Sequence, residues 1–130
     1  ALRSVAAEAD FLIALTPYST ETHHLINADV IAAIKPGGYL INIARGKVVD
    51  EQALIAALES GALAGAGLDV FAEEPCPPDN PLWQLPNVIM TPHIGGMSDS
   101  YAQQLLPLIL HNLGAFIAGD RSALRNRIDR

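Results

Sequence analysis

Hydrophobic positions along the chain alternate between two patterns: short continuous runs, and stretches at helical spacing. Phe11-Leu12-Ile13-Ala14-Leu15 is continuous and is closed by Thr16-Pro17. A run of that length ended by proline predicts a strand buried on both faces. Tyr39-Leu40-Ile41-Asn42-Ile43, Ala66-Gly67-Leu68-Asp69-Val70 and Val88-Ile89-Met90-Thr91 predict three more strands. Leu2, Val5, Ala6 and Ala9 lie at helical spacing over residues 2–9. Asn27 is placed to cap a helix through Ile34, which Lys35-Pro36-Gly37-Gly38 stops. Asp50 caps a further helix with Leu54, Ala57 and Leu58 inward, and Gly61 stands where its C-terminal cap belongs. From Ser98 a long helix is expected, with Ala102, Leu105, Leu106, Ile109, Leu113, Phe116 and Ile117 on one stripe and a kink at Pro107. Five of the nine prolines fall within residues 72–86, which predicts an ordered loop without regular structure. Trp83, with Leu82 and Leu85, is expected to anchor that loop in the core, or else to border a substrate pocket.

Strand and helix alternate throughout. The expected fold class is therefore α/β, a parallel sheet with flanking helices. Half of the 130 residues are hydrophobic, enough for one sizeable core. No apolar run approaches the ~18 residues of a membrane-spanning helix. The single cysteine, Cys76, excludes a disulfide framework and a cysteine-cluster metal site, and with no base beside it in sequence it is expected to be inert. No metal site is expected. A net charge of −6 makes nucleic acid a poor partner. The absence of a leader pattern makes the cytoplasm the default compartment, and a start at Ala1 suggests a piece of a longer protein. The bases are unevenly spread. Arg121, Arg125, Arg127 and Arg130 crowd into the last ten residues, a tail expected to be frayed and solvated. Up to Gly119, twelve acidic residues face only Arg3, Lys35, Arg45 and Lys47, so each of those four bases raises the question of its role.

In an open parallel sheet, ligands bind beyond the carboxyl ends of the strands. Thr16 and Pro17 follow the first strand. Asn42, Ala44, Arg45 and Gly46 end the second. Asp69 ends the third, with Glu73-Glu74-Pro75 just beyond, and the fourth delivers His93, Gly95 and Gly96. An arginine, a carboxylate and a histidine are thus expected on one rim. Arginine grips a carboxylate through two parallel hydrogen bonds. Histidine exchanges a proton near neutral pH, and a neighbouring carboxylate favours its charged form. His23, His24 and His111 have no such company and read as surface or helix-face residues.

The runs "ADFLIALTPYSTETHHLIN", "LINIARGKVVDEQALIAAL", "GAGLDVFAEEP" and "NPLWQLPNVIMTPHIGG" resemble, in order and spacing, the D-isomer-specific 2-hydroxyacid dehydrogenases over about residues 1–119. The resemblance implies a partial Rossmann-like dinucleotide-binding domain over residues 1–97. Residues 98–130 would form a C-terminal helix returning toward a substrate domain, followed by the tail. It implies that Arg45 binds the substrate carboxylate and keto oxygen, that His93 is the general acid/base, and that Glu74, rather than Glu73, is its partner. Thr16, Pro17, Asn42, Ala44, Arg45, Asp69, His93 and Gly96 are the expected cofactor-binding residues, with Asp69 at the nicotinamide end.

The chain contains no G-x-G-x-x-G. Gly61, Gly65 and Gly67 follow a helix instead of opening one and read as a helix stop and close packing. These residues are therefore expected to bind NAD or NADP weakly or not at all by themselves. The expected parent activity is hydride transfer between NAD(P)H and a small 2-oxo or 2-hydroxy acid, with glyoxylate or hydroxypyruvate as the favoured substrate. The alternative is a nucleotide-sensing, corepressor-like binding protein on the same scaffold. "FLIAL", if left as an exposed edge, is expected to pair with another chain at residues 11–15, as in a homodimer.

Overall fold

The structure is a computed structural model and describes residues 1–128. The chain divides into two units, Ala1–Gly95 and Gly96–Arg130. In the first, the predicted alternation is realised as α1 (Leu2–Glu8), β1 (Phe11–Ala14), α2 (Ala28–Ile31), β2 (Tyr39–Asn42), α3 (Glu51–Glu59), β3 (Gly65–Leu68) and β4 (Val88–Met90). The strands form one fully parallel sheet in the order β1-β2-β3-β4. Consecutive parallel neighbours joined by right-handed crossovers place the connecting segments on one face. Leu12 and Ala14, Leu40 and Asn42, and Ala66 and Leu68 point to that face and are buried. They pack there with Val30, Ile31, Leu54 and Leu58 from α2 and α3.

The opposite face corrects the expectation for "FLIAL". The register aligns Phe11 with Tyr39, and Ile13 with Ile41, Gly67 and Ile89. Phe11, Ile13 and Ile89 are exposed, and Phe11 stacks on Tyr39 with ring centroids 5.2 Å apart. The run is buried on one face only, because all three helices of this unit serve the other.

Local chemistry sets the remaining boundaries. Asn27 caps α2 by accepting from the Val30 amide, as expected. The helix ends at Ile31, three residues early. Lys35-Pro36 disfavours helical backbone before the proline, and the chain tightens into three-residue bonds from Ala33 to Val30 and from Ile34 to Ile31. Asp50 caps α3 through the Ala53 amide, and Gly61 follows it at φ +72°. Within the proline-rich loop a 3-10 turn forms at Pro81–Gln84, capped by Asn80. Leu82, not Trp83, is its core anchor: Leu82 is 1% exposed and Trp83 53%.

In the second unit, α4 (Tyr101–Ile117) runs through Pro107 as one helix. Most of its apolar stripe, including Leu106, Ile109, Leu113 and Phe116, is exposed. The described part of the tail is tied down instead of frayed, as far as Arg125. Asp120 caps a 3-10 turn at Arg121–Ala123, His111 Nε2 bonds the Ala123 carbonyl, and the Asn112 side chain bonds both the amide and the carbonyl of Arg125. Arg130, counted in that tail, lies outside the described residues. No helix among the described residues is long and apolar enough to cross a membrane. None of their His, Cys, Asp and Glu side chains gather in threes or more as a metal site would require.

Candidate active site

The last residue of β2 sets the first turn of the site. Asn42 is 2% exposed. Its Oδ1 accepts from the Ala44 amide at 3.1 Å, and its Nδ2 donates to the Arg45 carbonyl at 3.1 Å. A side chain that closes its own turn in this way sets the path of the next three residues. Arg45 leaves that turn exposed, its Nη1 donating to the Ala44 carbonyl at 2.6 Å. Gly46 follows because nothing larger fits: a Cβ there would lie 1.7 Å from the Phe71 carbonyl oxygen. That contact seats the Arg45 turn against the segment that leads to Glu74.

Glu74 is held at both oxygens. Its Oε1 accepts from the Phe71 amide at 3.0 Å, and its Oε2 lies 2.6 Å from His93 Nδ1. Glu51, at the start of α3, steadies the same loop by accepting from the Ala72 amide at 2.8 Å and the Asn80 side chain at 2.9 Å. Burial pushes the Glu74 carboxyl up, but the His93 bond, the Phe71 amide and the charges of His93 and Arg45 outweigh it and leave it below the usual range. Arg45 and His93 thus both act on one carboxylate.

His93 stands at φ +54°, a backbone conformation that costs a residue with a Cβ about 1–2 kcal/mol. The buried carboxylate of Asp69 holds it there. Oδ1 accepts from the Thr91 hydroxyl at 2.6 Å and the Ile94 amide at 2.9 Å, and Oδ2 from the Gly95 amide at 2.8 Å. The Thr91 hydrogen bond is the main reason this carboxyl lies low. Burial works against it, and the Ile94 and Gly95 amides and the His93 charge add to the lowering.

A cavity of about 770 Å³ opens at the carboxyl ends of the strands, lined among others by Thr16, Pro17, Ala44, Arg45, Glu74 and His93. A second, of about 620 Å³, lies across the Glu74–His93 pair and is bordered by Trp83, Cys76 and Met90. Trp83 borders this second cavity and does not line the larger one. Burial, helped by the charges of Glu51 and Glu73, raises the Cys76 thiol. Asn42 and Asp69 line neither cavity. Gly96 falls in the second unit and also lines neither. Residues not anticipated as part of the site are Lys47 and Tyr18, which line the larger cavity, and Glu51 and Thr91, which hold its walls. Lys47 alone carried a sequence signal, as one of four bases in an acidic stretch. The larger cavity has the place for the end of a dinucleotide that reaches the strand ends: Thr16, the small Ala44 and His93 line it from three segments. The phosphate-cradling glycine loop is not among these residues.

Asp69→Asn is expected to destabilise the protein by about 1.5–3 kcal/mol at pH 7, the range for hydrogen bonds to a charged group. The lowered carboxyl stabilises the fold fully above the ordinary aspartate value, about 3.9, and that contribution is lost as pH falls through the folded value. Urea denaturation at pH 7 and pH 3 should therefore show a smaller acid-induced loss in the variant than in the natural protein. Equal losses would show that Asp69 does not carry this linkage.

The profile of the family described as "D-isomer specific 2-hydroxyacid dehydrogenase, NAD binding domain" matches residues 1–95. The chain is 48% identical over 119 residues to glyoxylate/hydroxypyruvate reductase B of Pectobacterium carotovorum, covering 92% of this chain and 37% of that protein. It is 46% identical over 119 residues to the glyoxylate reductase of Pyrococcus horikoshii, covering 92% and 35%. Among solved structures, it superposes on a D-isomer specific 2-hydroxyacid dehydrogenase of Xanthobacter autotrophicus Py2 in complex with NADPH. The TM-score is 0.87 at 40% identity, over 98% of this chain and 51% of that one. An NADPH-dependent glyoxylate/hydroxypyruvate reductase of Sinorhizobium meliloti gives a TM-score of 0.81 at 42% identity, over 91% and 37%. The chain spans about a third of the length of the curated relatives it matches. With the parallel sheet, the strand-end cavity and these matches in agreement, the chain belongs to the D-isomer-specific 2-hydroxyacid dehydrogenases and carries part of their Rossmann-like NAD(P)-binding domain.

Proposed function

We propose that the protein containing this chain reduces small 2-oxo acids to 2-hydroxy acids, glyoxylate and hydroxypyruvate being the favoured substrates, as the names of its relatives suggest. The observation that carries this reading is the 2.6 Å contact between His93 Nδ1 and Glu74, on the wall of a cavity that Arg45 also lines. When bound, NAD(P)H supplies the hydride that C2 of the substrate accepts as the carbonyl π bond breaks. Arg45 holds the substrate carboxylate and offsets the charge that grows on the keto oxygen. His93, with Nδ1 committed to Glu74, presents Nε2 and delivers the proton to that oxygen. In the reverse direction the neutral ring removes the hydroxyl proton. Thr16, Pro17 and Ala44 border the cofactor end. Asn42 and Asp69 serve by fixing the turns that carry Arg45 and His93.

The full-length protein should oxidise NADPH or NADH in the presence of glyoxylate or hydroxypyruvate. His93→Gln should lower kcat by about 10²–10⁴, and Glu74→Gln should change the pH profile of kcat/KM. No turnover across a panel of 2-oxo acids would reject the reading. The 130 residues alone lack the pyrophosphate cradle, so calorimetric titration should detect weak NAD(P) binding at most. Tight binding would contradict that expectation.

We also propose that, in the isolated 130-residue chain, the β1 edge pairs with a second copy at residues 11–15. Phe11, Ile13 and Leu15 are all exposed along it. Sedimentation equilibrium should then report a mass above that of one chain, and a strictly monomeric mass would refute the pairing.

A further inference from the structure

Basic side chains are scarce in the first unit, and their placement is uneven. Of its four, Arg3 lies on α1 and Lys35 is paired with Asp10. The other two, Arg45 and Lys47, both line the larger cavity. Arg45 holds the substrate carboxylate in the proposed reaction. Lys47 has no role in that scheme, yet its backbone is firmly placed. It sits in the middle of the 3-10 turn Gly46–Val48, between a Gly46 packed on Phe71 and a fully buried Val48. Its carbonyl accepts from the His24 amide at 2.9 Å, and the next carbonyl accepts from the Ile26 amide at 3.1 Å. The side chain is exposed, and among the described residues no carboxylate lies within ion-pair reach of its ammonium.

The charges lining the cavity then do not balance for a simple substrate. Glu74 is its one acidic lining residue, and that carboxylate is engaged by His93 and the Phe71 amide. With His93 protonated for reduction, Arg45, Lys47 and His93 face the space with a single negative charge among them. A monocarboxylate such as glyoxylate neutralises one unit of the excess. A second unit remains, in a concave site where field lines concentrate.

We propose that Lys47 binds a second anionic group on the substrate. The site would then accept 2-oxo acids that carry a further carboxylate or phosphate alongside glyoxylate and hydroxypyruvate, with Lys47 raising the affinity of the dianionic ones. This rests on the proposed reductase activity and deepens it by naming the substrate class. Lys47 acts on binding and leaves the proton and hydride steps to the groups already described.

The test compares the natural full-length protein with Lys47→Met and Lys47→Arg, using glyoxylate and 2-oxosuccinate as substrates. Lys47→Met should lower kcat/KM for 2-oxosuccinate up to about fivefold more than for glyoxylate, the range of an exposed ion pair. The change should fall in KM, and Lys47→Arg should restore it. The difference should shrink in about 1 M salt, where the screening length is only about 3 Å. Equal changes for both substrates, or a change confined to the KM of NADPH, would overturn the assignment. Calorimetric titration with malonate and acetate separates this inference from the activity it rests on. A preference for malonate that Lys47→Met abolishes upholds the anion site even if no 2-oxo acid is reduced. Absence of that preference in the natural protein overturns the site even if glyoxylate is reduced rapidly.

Discussion

The carboxylate of Asp69 is the constraint on which the site depends. It lies one residue past the end of β3, is 5% exposed, and accepts three hydrogen bonds from the turn that carries His93. The Thr91 amide, donating to the Leu68 carbonyl at 2.9 Å, and the Glu74–His93 contact hold the same turn from its two ends. His93 adopts a left-handed backbone that its Cβ disfavours, and residues 91–95 are exposed. A buried charge is tolerable only when its lone pairs are met, and here the donors that meet them are the Thr91 hydroxyl and the backbone of the turn. The desolvation cost of the carboxylate and the strain at His93 are offset by the same three bonds. Releasing any part of the turn would expose both costs at once.

Asn42 repeats the arrangement with a neutral side chain. It ends β2 as Asp69 follows β3, is buried, and spends its amide on the Ala44 and Arg45 backbone. The difference in charge matches the geometry. Asn42 must accept from one group and donate to another, which an amide does and a carboxylate cannot. Asp69 meets donors only. The two turns are then brought together by the third segment, where Gly46 packs on the Phe71 carbonyl and Glu74 reaches His93.

Much of this was legible in the sequence, because it depends on local rules. Apolar runs ending in Pro17, Arg45, Asp69 and Pro92 marked the strands and their carboxyl ends, and a parallel sheet collects chemistry there. Asn27 and Asp50 were readable as caps because capping requires only a side-chain oxygen and a free amide nearby. The misreadings involve long-range packing. The period of "FLIAL" fits a strand covered on both sides, but periodicity cannot say whether a layer exists to cover it. Likewise Trp83 and its neighbour Leu82 are both apolar, and only the direction of the 3-10 turn decides which of them enters the core. Asn42 and Asp69 were picked out for their position at strand ends. Their burial beneath the turns could not be read, because whether a polar side chain faces a ligand or its own backbone is decided by hydrogen bonds to residues up to 26 positions away.

That separation between lining and holding residues has a physical rationale. A side chain that exchanges a proton with a small acid must be placed to within about 0.5 Å. It must also stand in a cavity, on a turn, where few contacts restrain it. The last residue of a buried strand is the nearest point whose position is already set by the sheet ladder and the core. A polar group placed there transmits the register of the sheet to the turn over one or two hydrogen bonds. On this logic the apolar core of Leu40, Leu54 and Leu68 does more than stabilise the domain. It fixes Asn42 and Asp69, and through them the turns that carry Arg45 and His93 to the wall of one cavity.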